Sequence, residues 1–244
     1  MKNNIIKLIL IFFFFINLIT LSNAEEQFNF KVTVIDITEN GNLITGSEGG
    51  TVITNNGIEI IAENFIYDKI TNILKAFGDV KLVNTNDNSK IYSDKVTYLK
   101  NEEIIFTEGN SKAINEQNVI TASNFKFNKI KNIINAEKNV KFVDKKKDTI
   151  IFSDKVTYLK NEEIIFTEGE TSAFLENKYE FTSKNVQYSK INQDLRSDKH
   201  SLIKDDNGNV YELENFVYLI DKKTLKGKNV NVLSKVDENK TDNY

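Results

Sequence analysis

SDKVTYLKNEEIIFTEG occupies residues 93–109 and again, letter for letter, residues 153–169, an offset of 60. The segments between the copies match at the same offset: Ala62-Glu63-Asn64-Phe65 against Ala122-Ser123-Asn124-Phe125, and Ala76 with Val80-Lys81 against Ala136 with Val140-Lys141. A fixed period of this kind marks stacked units, none of which can bury its apolar face alone. Inside it lies a weaker period near 30. An apolar-x-aromatic pair recurs as Phe65/Tyr67, Val96/Tyr98, Phe125/Phe127, Val156/Tyr158, Val186/Tyr188 and Phe216/Tyr218. Nine residues after each aromatic stands a small residue: Ala76, Thr107, Ala136, Thr167, Ser197 and Gly227. Turn formers follow several of them at once, as in Gly78-Asp79, Gly109-Asn110 and Gly169-Glu170. Residues 32–54 read as a degenerate first copy and terminal cap, with Val34, Leu43, Gly49 and Val52 in the repeat's positions.

Alternation decides between strand and helix. Tyr92, Val96 and Tyr98 share one parity, and Ser93, Lys95 and Thr97 the other; Ile61, Phe65 and Tyr67 oppose Ala62 and Asn64 in the same way. A period of two places such sets on opposite faces of a strand. The residues are β-branched or aromatic, which suits a half-buried pleated surface. Turn signals such as Asn40-Gly41, Asn56-Gly57 and Asp206-Asn207-Gly208 fall between the runs. The chain has no proline, so no ladder is interrupted by a missing donor. The expected class is all-β, with about 14–18 short strands of six to eight residues. Lys155–Ile165 has some helical spacing, but its β-branched clusters and Tyr158 favour strands. A short helix just after residue 25 stays open. Three architectures fit: a long antiparallel sandwich or roll, a solenoid, or a barrel. A membrane barrel is disfavoured, because the aromatics recur once per unit rather than as two girdles.

The N-terminus has a separate reading. Met1, Lys2 and Lys7 precede Ile9 to Leu18, which include four phenylalanines, and Ser22-Asn23-Ala24 closes the stretch. A positive start, a short apolar core and a small-x-Ala end describe a secretory signal peptide, residues 1–24. The core is short for a membrane span, which needs about 20 apolar residues. With no cysteine in the chain, neither a lipid-anchored lipoprotein nor a disulfide framework is available. Residues 25–236 are read as the folded domain, and the polar stretch 237–244 as a disordered tail.

Net charge is −3, with both signs spread along the chain, which argues against nucleic acid and against a polybasic membrane patch. Catalytic constellations are missing from the sequence. His200, the single histidine, reads as a solvated turn residue and cannot build a zinc site alone. Glu102-Glu103 and Glu162-Glu163 are adjacent carboxylates in duplicated turns, expected to be solvated. Asp205-Asp206-Asn207-Gly208-Asn209 resembles a calcium-loop fragment but lacks spaced ligands and the terminal bidentate glutamate. No glycine loop cradles a phosphate, and no cofactor is implied. An enzyme is not expected.

Ile61-Ala62-Glu63-Asn64-Phe65-Ile66-Tyr67-Asp68, followed by Leu74-Lys75-Ala76-Phe77-Gly78-Asp79-Val80-Lys81-Leu82, resembles the OstA-type repeat, and the resemblance extends over most of residues 32–234. It implies a twisted antiparallel β-jelly roll without catalytic residues. The family includes the periplasmic bridge protein of lipopolysaccharide transport (LptA-like) and the periplasmic domain of the outer-membrane assembly protein (LptD-like), and extends to a bitopic inner-membrane member (LptC-like). The resemblance therefore implies a periplasmic protein that binds the lipid A acyl chains of lipopolysaccharide. It further implies edge-strand pairing with other jelly-roll transport components or with copies of itself. The candidate inner-face residues are the six pairs from Phe65/Tyr67 to Phe216/Tyr218, each expected first to pack the core. Lys138 and Lys199 stand where other units have glycine, so irregular turns are expected there. The alternative is a secreted structural or adhesive β-solenoid with no lipid ligand and one strand per coil.

Overall fold

The computed structural model describes residues 28–235. The leader, 1–24, and the tail, 237–244, lie outside the described residues. In chain order the strands are β1 (Asn29–Thr38), β2 (Leu43–Ile53), β3 (Ile58–Ala62), β4 (Asn64–Asp68), β5 (Ile73–Asn84) and β6 (Lys90–Leu99). There follow β7 (Ile104–Ile114), β8 (Asn118–Asn128), β9 (Ile133–Asp144), β10 (Thr149–Leu159) and β11 (Ile164–Leu175). The remainder are β12 (Tyr179–Lys184), β13 (Gln187–Ser189), β14 (Asp194–Ser197), β15 (Ser201–Lys204), β16 (Val210–Leu213), β17 (Asn215–Leu219), β18 (Thr224–Lys228) and β19 (Asn231–Leu233). The 19 strands slightly exceed the expected number, because the strands at β3/β4 and from β12 onward are cut into short pieces, one per layer. In the middle the strands run 10–12 residues, longer than expected, because each crosses from one layer to the other.

Each pairing among these strands is antiparallel. A one-strand-per-coil solenoid would pair its coils in parallel, so that architecture is excluded. The strands form one ladder folded over on itself as a jelly roll. One layer holds β4, β13, β14, β17 and β18; the other holds β3, β12, β15, β16 and β19; β5 to β11 pass through both. Among the described residues the ladder does not close. β1 pairs only with β2, β18 only with β17 and β19 only with β16.

The fold line runs through a row of bulges. Register slips between Phe77 and Val80, between Tyr92 and Lys95, and between Thr121 and Asn124. One extra residue bends the strand and resets which parity faces inward. The parity read from sequence therefore holds only on one side of the bend. Val96 and Tyr98 are buried, but so are Ile91 and Ser93, whereas Tyr92 points outward. Likewise Ile60 and Ala62 face in and Ile61 does not, although Phe65 and Tyr67 do.

Bulges leave ladder groups unpaired, and buried hydroxyls satisfy them. Ser93 Oγ donates to the carbonyls of Glu108 and Gly109, both at 2.9 Å, and meets Ser111 Oγ at 3.2 Å. Thr107 Oγ1 meets Ser111 Oγ at 2.6 Å and accepts from the Phe125 amide at 2.9 Å. The second copy repeats the arrangement: Ser153 donates to Glu168 and Glu170, and Thr171 to Ser153 and Thr167. Left-handed backbone at the bend explains its glycines: Gly109 has φ +79, and a Cβ there would lie 2.2 Å from Asp94 Oδ2. Lys138 occupies the same region at φ +66 without that freedom. Lys199 lies at a break between β14 and β15 rather than in a bulge.

Candidate functional site: the seam between the sheets

The twelve predicted residues fall into two adjacent inner rows of one layer. Pairing across strands reads Ile44–Tyr67–Leu74–Tyr98–Ile105–Phe127–Ile134–Tyr158–Ile165–Tyr188–Leu195–Tyr218–Leu225. An aromatic ring thus alternates with an aliphatic side chain. The neighbouring row explains the small residue nine places after each aromatic: Phe65 pairs with Ala76, Val96 with Thr107, Phe125 with Ala136, Val156 with Thr167, and Phe216 with Gly227. Large beside small lets the row pack without voids near the fold line. Eleven of the twelve are buried, and Phe127 is half-buried.

The opposite layer supplies its own row, including Ile60, Leu82, Ile91, Ile120, Phe142, Ile151, Phe181 and Ile203. The two rows touch. Phe142 lies edge-on to Tyr158 at 5.8 Å and Tyr188 at 6.4 Å, and Phe181 stacks on Phe216 at 5.3 Å. The apolar interior reaches both ends of the roll. Ile35 and Ile37 of β1 sit opposite Gly46 and Ile44 in these rows, yet are 47% and 59% exposed. At the far end Val232, paired with Tyr211, is 48% exposed.

Opposite the fold line is a mouth, rimmed by a third row. Two residues beyond the aromatics, on the same face, come Lys69, Lys100, Lys129, Lys160 and Lys190. Their amides bond to the carbonyls of Asn42, Asn72, Glu103, Asn132 and Glu163, so lysine alternates with an amide or carboxylate along the rim. Glu103 is therefore not the solvated turn residue expected. It is left-handed at φ +52 and turns its carboxylate inward. Tyr98 donates to it at 2.7 Å, Asn56 at 3.4 Å, and Lys129 forms a close ion pair with it. Burial pushes its pKa up, but the bonds from Lys129 and Tyr98 outweigh this, and the carboxyl ends below its usual value.

Groups from the opposite layer close the mouth. Lys160 Nζ lies 3.7 Å from Asp87 in the β5–β6 loop. Lys190 Nζ donates to Asn118 at 3.0 Å and Gln117 at 3.2 Å, and sits 3.5 Å from the fully buried Asp144. Tyr188 donates to Asp144 at 3.0 Å, and Asn118 to Tyr158 at 3.4 Å. Burial, aided by the charges of Glu163 and Asp144, pushes the Tyr158 hydroxyl up to about 12. Burial raises Tyr188 and Tyr218 as well. The signal for this rim was in the sequence as a lysine two places after five of the six aromatics. Its acceptors were not, because they come from loops up to 73 residues away.

Elsewhere, His200 contacts Glu212 at 2.9 Å on the surface, and Asp205 caps its own turn by accepting from Asn207 and Asn209. Among the described residues no group of three or more His, Cys, Asp or Glu could hold a metal ion. Among the described residues the site is thus a two-layer roll with packed apolar rows, a polar rim and apolar side chains exposed at its ends.

The OstA-like protein family matches residues 31–183, which is more than half of the chain. The chain belongs to that family. No curated protein matches it. Solved structures do. One is LptH, the LptA homologous periplasmic component of the lipopolysaccharide transport device of Pseudomonas aeruginosa, at 15% identity and a TM-score of 0.43, covering 48% of this chain and 85% of that one.

Proposed function

We propose that this chain is a non-catalytic periplasmic carrier of lipopolysaccharide. It holds the lipid A acyl chains between its two sheets and stacks through its terminal strands against other jelly-roll components or further copies of itself. The observation that carries this reading is the pair of apolar rows that runs the length of the roll and is exposed at both ends, at Ile35 and Ile37 and at Val232. A soluble domain ordinarily caps such ends with polar groups. Here, among the described residues, each end also presents a strand with one unpaired edge. Such an edge is a template for strand addition and a hazard in a lone monomer. End-to-end pairing would join the rows of neighbouring modules into one apolar path. Acyl chains need it, since each methylene removed from water contributes about 0.8 kcal/mol. Membership of the OstA-like family supports lipopolysaccharide as the cargo.

Equilibrium binding of lipopolysaccharide to the purified protein tests this directly. Saturable binding is expected, lost when the acyl chains are removed. Equal binding of the deacylated saccharide, or none of the intact lipid, would refute the reading.

A further inference from the structure

The 60-residue duplication places two related slots at the mouth, and they differ in what fills them. In the first slot Phe28 inserts between the layers, edge-on to Tyr67 at 4.7 Å and to Tyr98 at 5.9 Å, with Lys100 Nζ 5.9 Å over its ring. Phe28 is only 8% exposed. Sixty residues on, the same positions carry Phe127, Tyr158 and Lys160. There Phe142 of the opposite layer meets the Tyr158 ring edge-on at 5.8 Å and fills the slot only in part. A cavity of about 40 Å³ remains, lined by Ile91, Ala113, Ile120, Phe127, Tyr158 and Lys160. The chain itself thus shows what this slot accepts: an apolar group beneath an ammonium.

We propose that the second slot is the point where one acyl chain of a phosphate-bearing amphiphile enters the roll, with Lys160 as its anion contact. This rests on the carrier reading above and assigns it a port. The rim chemistry selects the ligand class. Lys160 Nζ is held 5.3 Å over the Phe127 ring and 3.7 Å from Asp87, whose carboxylate sits on a loop and is 46% exposed. A phosphate can take the place of that carboxylate without leaving the lysine unpaired in a half-buried site. Exchange releases Asp87 from the rim and widens the mouth, while Thr85 and Asn86 keep the β5–β6 loop tied to Gly57 and Asn56. Widening is required, because the cavity has room for the end of a chain and not its length. Lys129 lies two strand spacings along the same rim, roughly 10 Å away. The other neighbour, Lys190, is tied to Asp144, Asn118 and Gln117 and bounds the slot on that side.

The test uses the purified full chain and two probes: a bisphosphorylated acylated glucosamine disaccharide and its dephosphorylated counterpart. Ala113→Phe supplies the missing ring and should weaken both probes at least tenfold. Lys160→Gln should weaken only the phosphorylated probe, by about tenfold, and Asp87→Asn should strengthen it severalfold. Circular dichroism checks that Ala113→Phe folds; if it does not, the two rim substitutions decide. Unchanged affinities in the folded variants, while the unsubstituted chain binds, would overturn the port and leave the carrier reading standing. Failure of the unsubstituted chain to bind either probe would overturn the carrier reading itself.

Discussion

Replacing Asp144 with alanine should be among the most damaging single changes in this protein. The carboxylate is fully buried at the end of β9. It accepts from the amides of Lys146 at 3.0 Å and Lys147 at 3.2 Å, and from Tyr188 at 3.0 Å. The Lys190 ammonium, whose side chain is 5% exposed, stands 3.5 Å away. Removing one partner of a buried pair costs about 3–5 kcal/mol, because the other charge is left behind. For a domain of this size each kcal/mol moves the melting temperature by about 2–4 °C. The midpoint should therefore fall by about 6–20 °C. Adding Lys190→Met removes the stranded charge, so the double variant should recover at least about 2 kcal/mol relative to the summed single losses. Far-ultraviolet circular dichroism is the assay, since the chain has no tryptophan. A loss under about 1 kcal/mol for Asp144→Ala, or simple additivity in the double variant, would refute the reasoning.

Three further outcomes follow from other parts of the roll. Lys138→Gly should stabilise by about 1 kcal/mol, because glycine tolerates the left-handed backbone that lysine adopts there; a destabilised variant in denaturant titration would contradict this. Ser111→Ala should cost about 1–3 kcal/mol by the same titration, since its hydroxyl joins Ser93, Thr107 and the Ser123 carbonyl at the fold line. The Glu103 carboxyl is depressed in the fold, so its contribution is complete above the unfolded value of about 4.3 and disappears as pH falls through the lower folded value. Melting temperatures from pH 7 to 3 should drop less steeply for Glu103→Gln than for the unsubstituted chain, and matching slopes would count against the rim geometry.

Much of this fold is legible in the residues. The duplicated segment fixes the unit, and the aromatic with its small residue nine places on fixes which strands lie side by side. That spacing works because a strand, a short turn and a return strand bring Tyr67 opposite Leu74 and Phe65 opposite Ala76. The bend was harder to see. A bulge adds one residue and changes no composition, so Tyr92 and Ile61 carried the same pattern as their inward neighbours and still point outward. Of the site, the apolar rows and the rim lysines were readable, and the partners of those lysines were not. Glu103 looks like any acidic turn residue until the backbone turns left-handed and aims it at Tyr98. The partners of Lys160 and Lys190 belong to the other layer, and no local period announces them.

Photo-crosslinking to lipopolysaccharide tests the central claim most directly, with a probe placed at Phe127 on the inner row and, for comparison, at exposed Lys126 beside it. Adducts to the acyl chains are expected from position 127 and few from position 126. Adducts confined to position 126, or equal at both, would place the lipid outside the roll and contradict that claim.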